Sequence, residues 1–168
     1  MRGSSNQTYW DWIGSDSWRH GQEVESKFGD FLKKYCKDVR PATLQEQYKH
    51  MDWICSLGSI DVKAMKAVER SRGVQSEFIW IEFKNNCGDA GWLYGEQDYL
   101  AFEGAEDYLL VRRGDLQELA EDLCNLDDKV ESAKEALYKS YSRKNRRDVI
   151  SMIRRDDLYK IKNKVLNK

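Results

Sequence analysis

The sequence predicts a mixed α/β fold, in which a central β-sheet is flanked by helices and followed by a C-terminal helical extension. Two patterns indicate this class. Apolar residues spaced three and four apart follow Gly21, as in an amphipathic helix, whereas residues 78–84 alternate between two faces, as in a half-buried strand. A chain of 168 residues is long enough for one domain with a substantial core.

We divide the chain into three parts. Residues 1–20 are rich in Trp, Ser and Gly, which favours an irregular segment laid over the core. Residues 21–127 form the α/β domain, and residues 128–168 form a basic helical extension. Pro41, the only proline, separates the first helix from the strands that follow.

The predicted elements of the domain follow in the order helix, hairpin, strand, hairpin, helix. The first helix begins at Gly21 and carries an apolar stripe as far as Tyr35. Residues 48–57 and 60–68 form a hairpin around the turn at 58–59. The remaining strands and the second helix are predicted at 78–84, 99–102, 108–111 and 115–126, with Asp115 as the helix cap.

Several classes of protein are disfavoured by composition. No stretch approaches the 18 apolar residues of a membrane span, and we expect no signal peptide before the fold. The four cysteines are scattered and do not cluster with histidine, which is typical of reduced thiols rather than of a zinc site. We therefore expect an intracellular, cytoplasmic protein with no membrane partner.

Charge is distributed unevenly along the chain. Residues 132–168 contain twelve Lys/Arg and four Asp/Glu, a balance of +8, whereas the net charge of −1 leaves −9 for residues 1–131. This asymmetry indicates either a polyanionic partner or a solvated basic helix face. If the partner is nucleic acid, the candidates for backbone contacts are Arg143, Lys144, Arg146, Arg147, Arg154 and Arg155.

The first predicted hairpin carries charges where an apolar strand has no structural need for them. Asp52 lies just before the apolar residues of the first strand. On the second strand, Asp61 and Lys63 alternate with Ile60 and Val62. Burial of such charges is costly unless they are paired or bind a metal. An acid-x-lysine triplet alone says little, because about three of them are expected by chance and the chain has four.

Together these residues resemble the PD-(D/E)xK nuclease superfamily, which has the restriction-endonuclease-like fold. Asp52 takes the place of the first aspartate, preceded here by His50-Met51 rather than by proline, and Asp61-Val62-Lys63 takes the place of the triplet. Glu25 resembles the extra glutamate on the first helix of resolvase-like members. The resemblance covers residues 21–111.

The resemblance implies an endonuclease that hydrolyses DNA phosphodiester bonds with Mg²⁺ or Mn²⁺, with branched or nicked DNA among the expected substrates and a homodimer as the expected assembly. It implies that Asp52, Asp61, the Val62 carbonyl and Glu25 hold the metal. Lys63 would then orient or deprotonate the attacking water, or stabilise the phosphorane.

Other interpretations stay open from the sequence. Glu82 and Lys84 form a second strand-borne triplet, with Asp61 as its first aspartate, and all these charges could instead be cross-strand surface ion pairs. Trp92 and Tyr94 either stack on a base or fill the core, and His50 either contacts phosphate or is buried. At the level of function, the alternatives are a non-catalytic nucleic-acid-binding or interaction module and an RNA-directed nuclease.

Overall fold

A computed structural model of the protein describes residues 15–168, which form two mixed β-sheets and a few helices. This confirms the predicted α/β class. None of the helices within that range has the length and apolar character to cross a bilayer. The helices are α1 (Asp16–Leu32), α2 (Leu44–Gln47) and α3 (Arg113–Leu123).

The strands of the first sheet lie in the order β1-β2-β3-β5-β6-β10, and those of the second in the order β4-β9-β8-β7. In chain order the strands are β1 (Arg40–Pro41), β2 (Trp53–Cys55), β3 (Gly58–Lys63), β4 (Phe78–Lys84), β5 (Tyr99–Glu103), β6 (Asp107–Arg112), β7 (Asn125–Val130), β8 (Lys139–Tyr141), β9 (Val149–Arg154) and β10 (Asn163–Asn167).

Two apolar cores lie on the two faces of the first sheet. On one face, α1 buries its apolar stripe, including Phe28 and Leu32, against Ile60 of β3. On the other face, the second sheet and α3 pack together, with Ile81 of β4 and Leu116 of α3 fully buried. The first sheet is thus a middle layer, and both of its faces are covered.

Helix α1 begins five residues before the predicted start. The Ser15 side chain accepts a hydrogen bond from the Trp18 amide (3.2 Å) and Asp16 lies in the first turn, so the helix has a conventional cap and Gly21 lies inside it. The prediction of irregular structure is therefore wrong for residues 16–20. The rest of that predicted segment, residues 1–14, lies outside the described residues.

The first hairpin is confirmed, with shorter strands than predicted. Residues 48–52 are not a strand, because α2 ends there and His50 adopts a positive φ of 64°. A capping box between Thr43 and Glu46 stabilises α2. The second strand ends at Lys63 rather than at residue 68.

Strand β4 has the predicted bounds and the predicted alternation, with Ile79, Ile81 and Phe83 buried. It does not join the hairpin, however, but pairs with β9 in the second sheet. Strands β5 and β6 form the predicted antiparallel hairpin. The helix after them starts at Arg113 and ends at Leu123, because β7 begins at Asn125.

The predicted C-terminal helical extension is wrong. Residues 128–168 contain β8, β9, β10 and the second half of β7, with short 3-10 turns at Ala133–Glu135 and Arg155–Lys160. Short apolar runs such as Val149-Ile150 fit a buried strand as well as a helix, and pairing partners distant in sequence decide between them. Since β9 pairs with β4 and β10 with β6, these residues complete both sheets.

Candidate active site

The β2–β3 hairpin places Asp52 over the strand that carries Asp61. The Asp52 backbone amide donates to the Ile60 carbonyl (2.9 Å), which extends the hairpin pairing by one residue. The Asp52 side chain turns back on β3, where its Oδ2 accepts a hydrogen bond from the Val62 amide (2.7 Å). The hydrogen bond from the Val62 amide thus holds the Asp52 carboxylate against β3.

Alternation along β3 separates its apolar and charged side chains. Ile60 packs with α1, whereas Asp61 and Lys63 project from the opposite face. Asp61 is only 3% exposed, and Lys63 Nζ lies 2.8 Å from Asp61 Oδ2. The same Nζ lies 4.7 Å from the centroid of the Trp92 ring, a cation–π contact that covers the ammonium group.

The charge of Asp61 affects the protonation of Asp52 in this arrangement. Burial, followed by the charge of Asp61, raises the pKa of Asp52 to about 7, and Asp52 in its protonated form donates a hydrogen bond to Asp61. Burial also raises the pKa of Asp61, although Lys63 opposes this. Burial alone would lower the pKa of Lys63, but the carboxylates of Asp61 and Asp52 outweigh it and raise that pKa.

Glu25 reaches the same charged region from α1. Burial, and then the charge of Asp52, raises the pKa of Glu25 to about 7. The helix is anchored here because Trp53 Nε1 donates to the Glu25 carbonyl (3.0 Å). Gly29, one turn further on, allows the close approach, since a Cβ at that position would lie 2.0 Å from the Trp53 ring.

Of the second predicted triplet, the structure brings Glu82 to the cluster and leaves Lys84 outside it. Glu82 Oε1 accepts a hydrogen bond from the Trp92 amide (3.3 Å), and its charge is among those that raise the pKa of Lys63. The pairing of β4 shifts register between Glu82 and Lys84, and Lys84 is exposed. Glu82 therefore joins the cluster from the second sheet.

Gln97, which sequence reasoning missed, is buried against Asp61. Its Nε2 donates to the Trp92 carbonyl (2.8 Å) and, at 3.4 Å, to Asp61 Oδ2. Its Oε1 is buried and has no hydrogen-bond partner among the described residues. No sequence signal marks this residue, because it lies in a loop without periodicity between a glycine-rich turn and β5.

The three aromatic or histidine candidates have different environments. Trp92 is buried in the second core, so it fills the core as well as covering Lys63. Tyr94 is 39% exposed and its hydroxyl donates to Glu121 (3.0 Å). His50 is half-buried, and burial and the charge of Lys63 lower its pKa. A cleft of about 250 Å³ is lined in part by His50, Gly91, Tyr94 and Gly95.

The six basic candidates do not form one surface. The Arg155 guanidinium is buried, where it pairs with Asp107 (2.7 Å) and donates to the Phe102 and Glu103 carbonyls, so it is committed to the fold. Arg154 pairs with Glu77 at the surface. The other four, Arg143, Lys144, Arg146 and Arg147, lie in the loop between β8 and β9.

Carboxylates outnumber ammonium groups in the cluster. Glu25, Asp52 and Asp61 surround Lys63, so full ionisation would leave excess negative charge in a buried site. Carboxylate oxygens are the ligands that Mg²⁺ and Mn²⁺ prefer, and the donor set therefore fits a hard divalent cation. Within residues 15–168, however, no group of three or more His, Cys, Asp or Glu is arranged as a ready-made metal-binding site.

Comparisons with family models, with curated proteins and with solved structures find no match for this chain. The geometry and electrostatics of the cluster are therefore the basis for assigning a function.

Proposed function

We propose that the protein is a metal-dependent endonuclease that hydrolyses DNA phosphodiester bonds. The observation that carries this proposal is the half-buried Asp52 beside the buried Asp61, with Lys63 Nζ 2.8 Å from Asp61. Withdrawing three neighbouring ionisable groups from most of the solvent is costly, and such clusters are concentrated at functional sites.

The connectivity of the first sheet supports a restriction-endonuclease-like arrangement. Helix α1 precedes the antiparallel β2–β3 hairpin, which carries Asp52 and Asp61, and β3 then pairs in parallel with β5. The superfamily places a meander followed by a helix in this region. In this protein β4 belongs to the second sheet, and the chain rejoins the first sheet at β5. The proposed relationship to the superfamily therefore rests on α1, the β2–β3 hairpin and the positions of the charged residues.

Lys63 acts as a cation in this proposal. Because the neighbouring carboxylates raise its pKa, Nζ is protonated at neutral pH and donates hydrogen bonds. Its role is therefore to stabilise negative charge on a phosphate oxygen, rather than to deprotonate water. Trp92 and Gln97 limit the positions that Lys63 and Asp61 can adopt.

The Asp52, Asp61 and Glu25 carboxylates would hold the metal ion, with the Val62 carbonyl as a further expected ligand. A bound divalent cation would supply charge stabilisation and a more acidic water. The protein supplies the burial that strengthens these interactions and the Val62 amide that orients Asp52.

Cleavage of supercoiled plasmid, and of nicked and branched DNA, with Mg²⁺ or Mn²⁺ tests this function. We expect cleavage by the wild type and a loss of at least about a hundredfold in Asp61→Asn and Lys63→Gln. Asp128→Asn and Lys139→Gln are matched controls, because this surface pair (3.3 Å) has the same residue types and lies away from the cluster. Equal loss in the controls, or no loss in the Lys63 variant, would contradict the proposal.

A non-catalytic nucleic-acid-binding module is the second candidate. It is favoured by the existing Lys63–Asp61 ion pair, which neutralises part of the cluster without a metal. Calorimetric titration of Mn²⁺ separates the two candidates: the nuclease requires binding by the wild type that disappears in the Asp52→Asn/Asp61→Asn double variant. DNA binding without metal binding or cleavage would favour the module, and cleavage of RNA alone would favour an RNA-directed nuclease.

A further inference from the structure

The loop at residues 142–148, between β8 and β9, lies beside the end of the strand that carries Glu82. Strand β9 runs antiparallel to β4, with Glu82 opposite Ile150 and Lys84 opposite Val149. The loop just before Val149 must therefore lie next to the turn that follows Lys84. Sheet register thus brings the basic loop to the edge of the candidate active site.

Two guanidinium groups of this loop converge on one neutral acceptor. Asn86 Oδ1, in the turn after β4, accepts hydrogen bonds from Arg143 Nη2 (2.8 Å) and Arg146 Nη1 (3.4 Å). The Arg147 amide also donates to the Asn86 carbonyl (3.2 Å). Arg143 has a carboxylate partner in Asp148, at 2.5 Å from Nε. One carboxylate therefore serves two arginines.

Lys66 lies close to β4, because the carbonyl of the next residue, Ala67, accepts a hydrogen bond from Trp80 Nε1 (3.3 Å). The Lys66 side chain is exposed, yet partial desolvation of its ammonium group, the charge of Lys63 and the charge of Arg143 lower its pKa. Burial and the charge of Arg143 likewise lower the pKa of Arg146. Neither Lys66 nor Arg146 forms an ion pair among residues 15–168.

We propose that Lys66, Arg143 and Arg146 form a phosphate subsite, which binds the nucleic-acid backbone next to the phosphate held at Lys63. Among residues 15–168, Asp148 is the one carboxylate in an ion pair with any of these three cations. Their like charges therefore repel one another, and a phosphate group would relieve that repulsion while accepting bidentate hydrogen bonds from arginine. The assignment rests on the proposed function for the identity of the substrate. It excludes Arg155, whose guanidinium is buried against Asp107, and Arg154, which lies opposite Phe78 at the far end of β9 from this loop.

The test measures binding rather than cleavage. A fluorescein-labelled DNA duplex is titrated with the intact protein in EDTA at several salt concentrations, and anisotropy gives the slope of log Kd against log salt. Each lost phosphate contact lowers that slope by about 0.9. We expect this decrease in Lys66→Gln and in Arg146→Gln. Arg154→Gln, with the same change of charge, should keep the wild-type slope.

The outcomes separate this inference from the nuclease proposal. Lower slopes in both variants with a normal Arg154→Gln support the subsite, even if no metal ion promotes cleavage. Cleavage by the wild type with slopes unchanged in both variants overturns the subsite and leaves the nuclease in place. Absence of DNA binding by the wild type, or equal decreases in all three variants, also overturns it. Thermal melting of each variant confirms that the comparison is between folded proteins.

Discussion

Asp52 shows what the candidate site costs the protein when no metal is bound. Its carboxyl group is held beside Asp61, and within residues 15–168 Lys63 alone supplies a positive charge at hydrogen-bond distance from the pair. A proton on Asp52 compensates for this at moderate pH. The residue should therefore make stability depend on pH in a direction opposite to that of an ordinary surface aspartate.

The first prediction concerns Asp52→Asn. The pKa of Asp52 is about 7 in the folded protein against an ordinary 3.8, so the folded state binds the proton more tightly than the unfolded state. This stabilising contribution is complete below about pH 4 and is lost as pH rises through 7. Asparagine keeps a neutral side chain that can donate to Asp61. We expect the variant to gain stability relative to wild type between pH 5 and pH 8, as measured by urea unfolding without divalent cations.

Asp128→Asn is the matched control for this prediction. Asp128 lies on the surface in an ion pair with Lys139. A pH-dependent gain of similar size in this control, or a constant difference in Asp52→Asn, would show that Asp52 does not titrate as the structure indicates.

At the residue scale, the sequence located the acidic pair better than it located the groups that support it. Asp52, Asp61 and Lys63 could be placed together because hairpin spacing and strand alternation are local rules. Gln97 could not, because its role depends on a loop packing under Trp92. Lys66 could not either, because its neighbour Arg143 lies in the loop before β9, and the pairing of β4 with β9 places that loop.

At the scale of elements, α1 positions Glu25 through one close contact. The helix can approach β2 only because residue 29 has no side chain, which leaves room for the Trp53 ring. The Trp53 indole then donates to the Glu25 carbonyl and fixes the height of the helix over the sheet. Any group added at residue 29 must displace the helix or the ring.

The second prediction compares Gly29→Ala with Gly21→Ala. Alanine favours a helix over glycine by up to about 1 kcal/mol, and a Cβ at residue 21 meets nothing within 4 Å, so Gly21→Ala should stabilise the protein. At residue 29 the same Cβ would lie 2.0 Å from the Trp53 ring, and we expect a net loss of about 1–3 kcal/mol. Urea unfolding of both variants measures the difference. Equal stabilisation by the two changes would mean that α1 does not press on Trp53.

Elements differ in how well the sequence predicted them, for a physical reason. The alternation of Ile79, Ile81 and Phe83 needs no knowledge of the partner strand, so β4 was predicted with the observed bounds. The partner itself was not predicted. Val149–Arg154 was interpreted as helical, because its few apolar residues fit both periods and its neighbours, β4 and β8, come from two other parts of the chain.

At the scale of the whole molecule, the C-terminal residues are structural rather than a removable basic tail. Strand β10 pairs with β6 along five residues, and its Leu166 lies in the core under α1. Deletion of residues 132–168 would remove β8, β9 and β10 together. Loss of nucleic-acid binding after such a deletion would thus report unfolding, and substitutions of single arginines are the informative experiment.

The third prediction compares two neighbours on β10. Leu166 is 2% exposed, and Leu166→Ala should lower the free energy of unfolding by about 2–5 kcal/mol through a buried cavity. Val165 faces outward with 40% exposure, so Val165→Ala should cost less than about 1 kcal/mol. Chemical denaturation followed by far-UV circular dichroism measures both. Similar small losses would indicate that β10 is only loosely attached to the sheet.

The pairing of β10 with β6 also has a consequence for how the chain is made. Strand β6 ends at Arg112, whereas its partner begins at Asn163, about fifty residues later in synthesis. At ordinary elongation rates, roughly 3–10 s pass between the synthesis of β6 and the synthesis of its partner β10. During that interval it presents unpaired backbone groups to the ribosome surface and to other nascent chains.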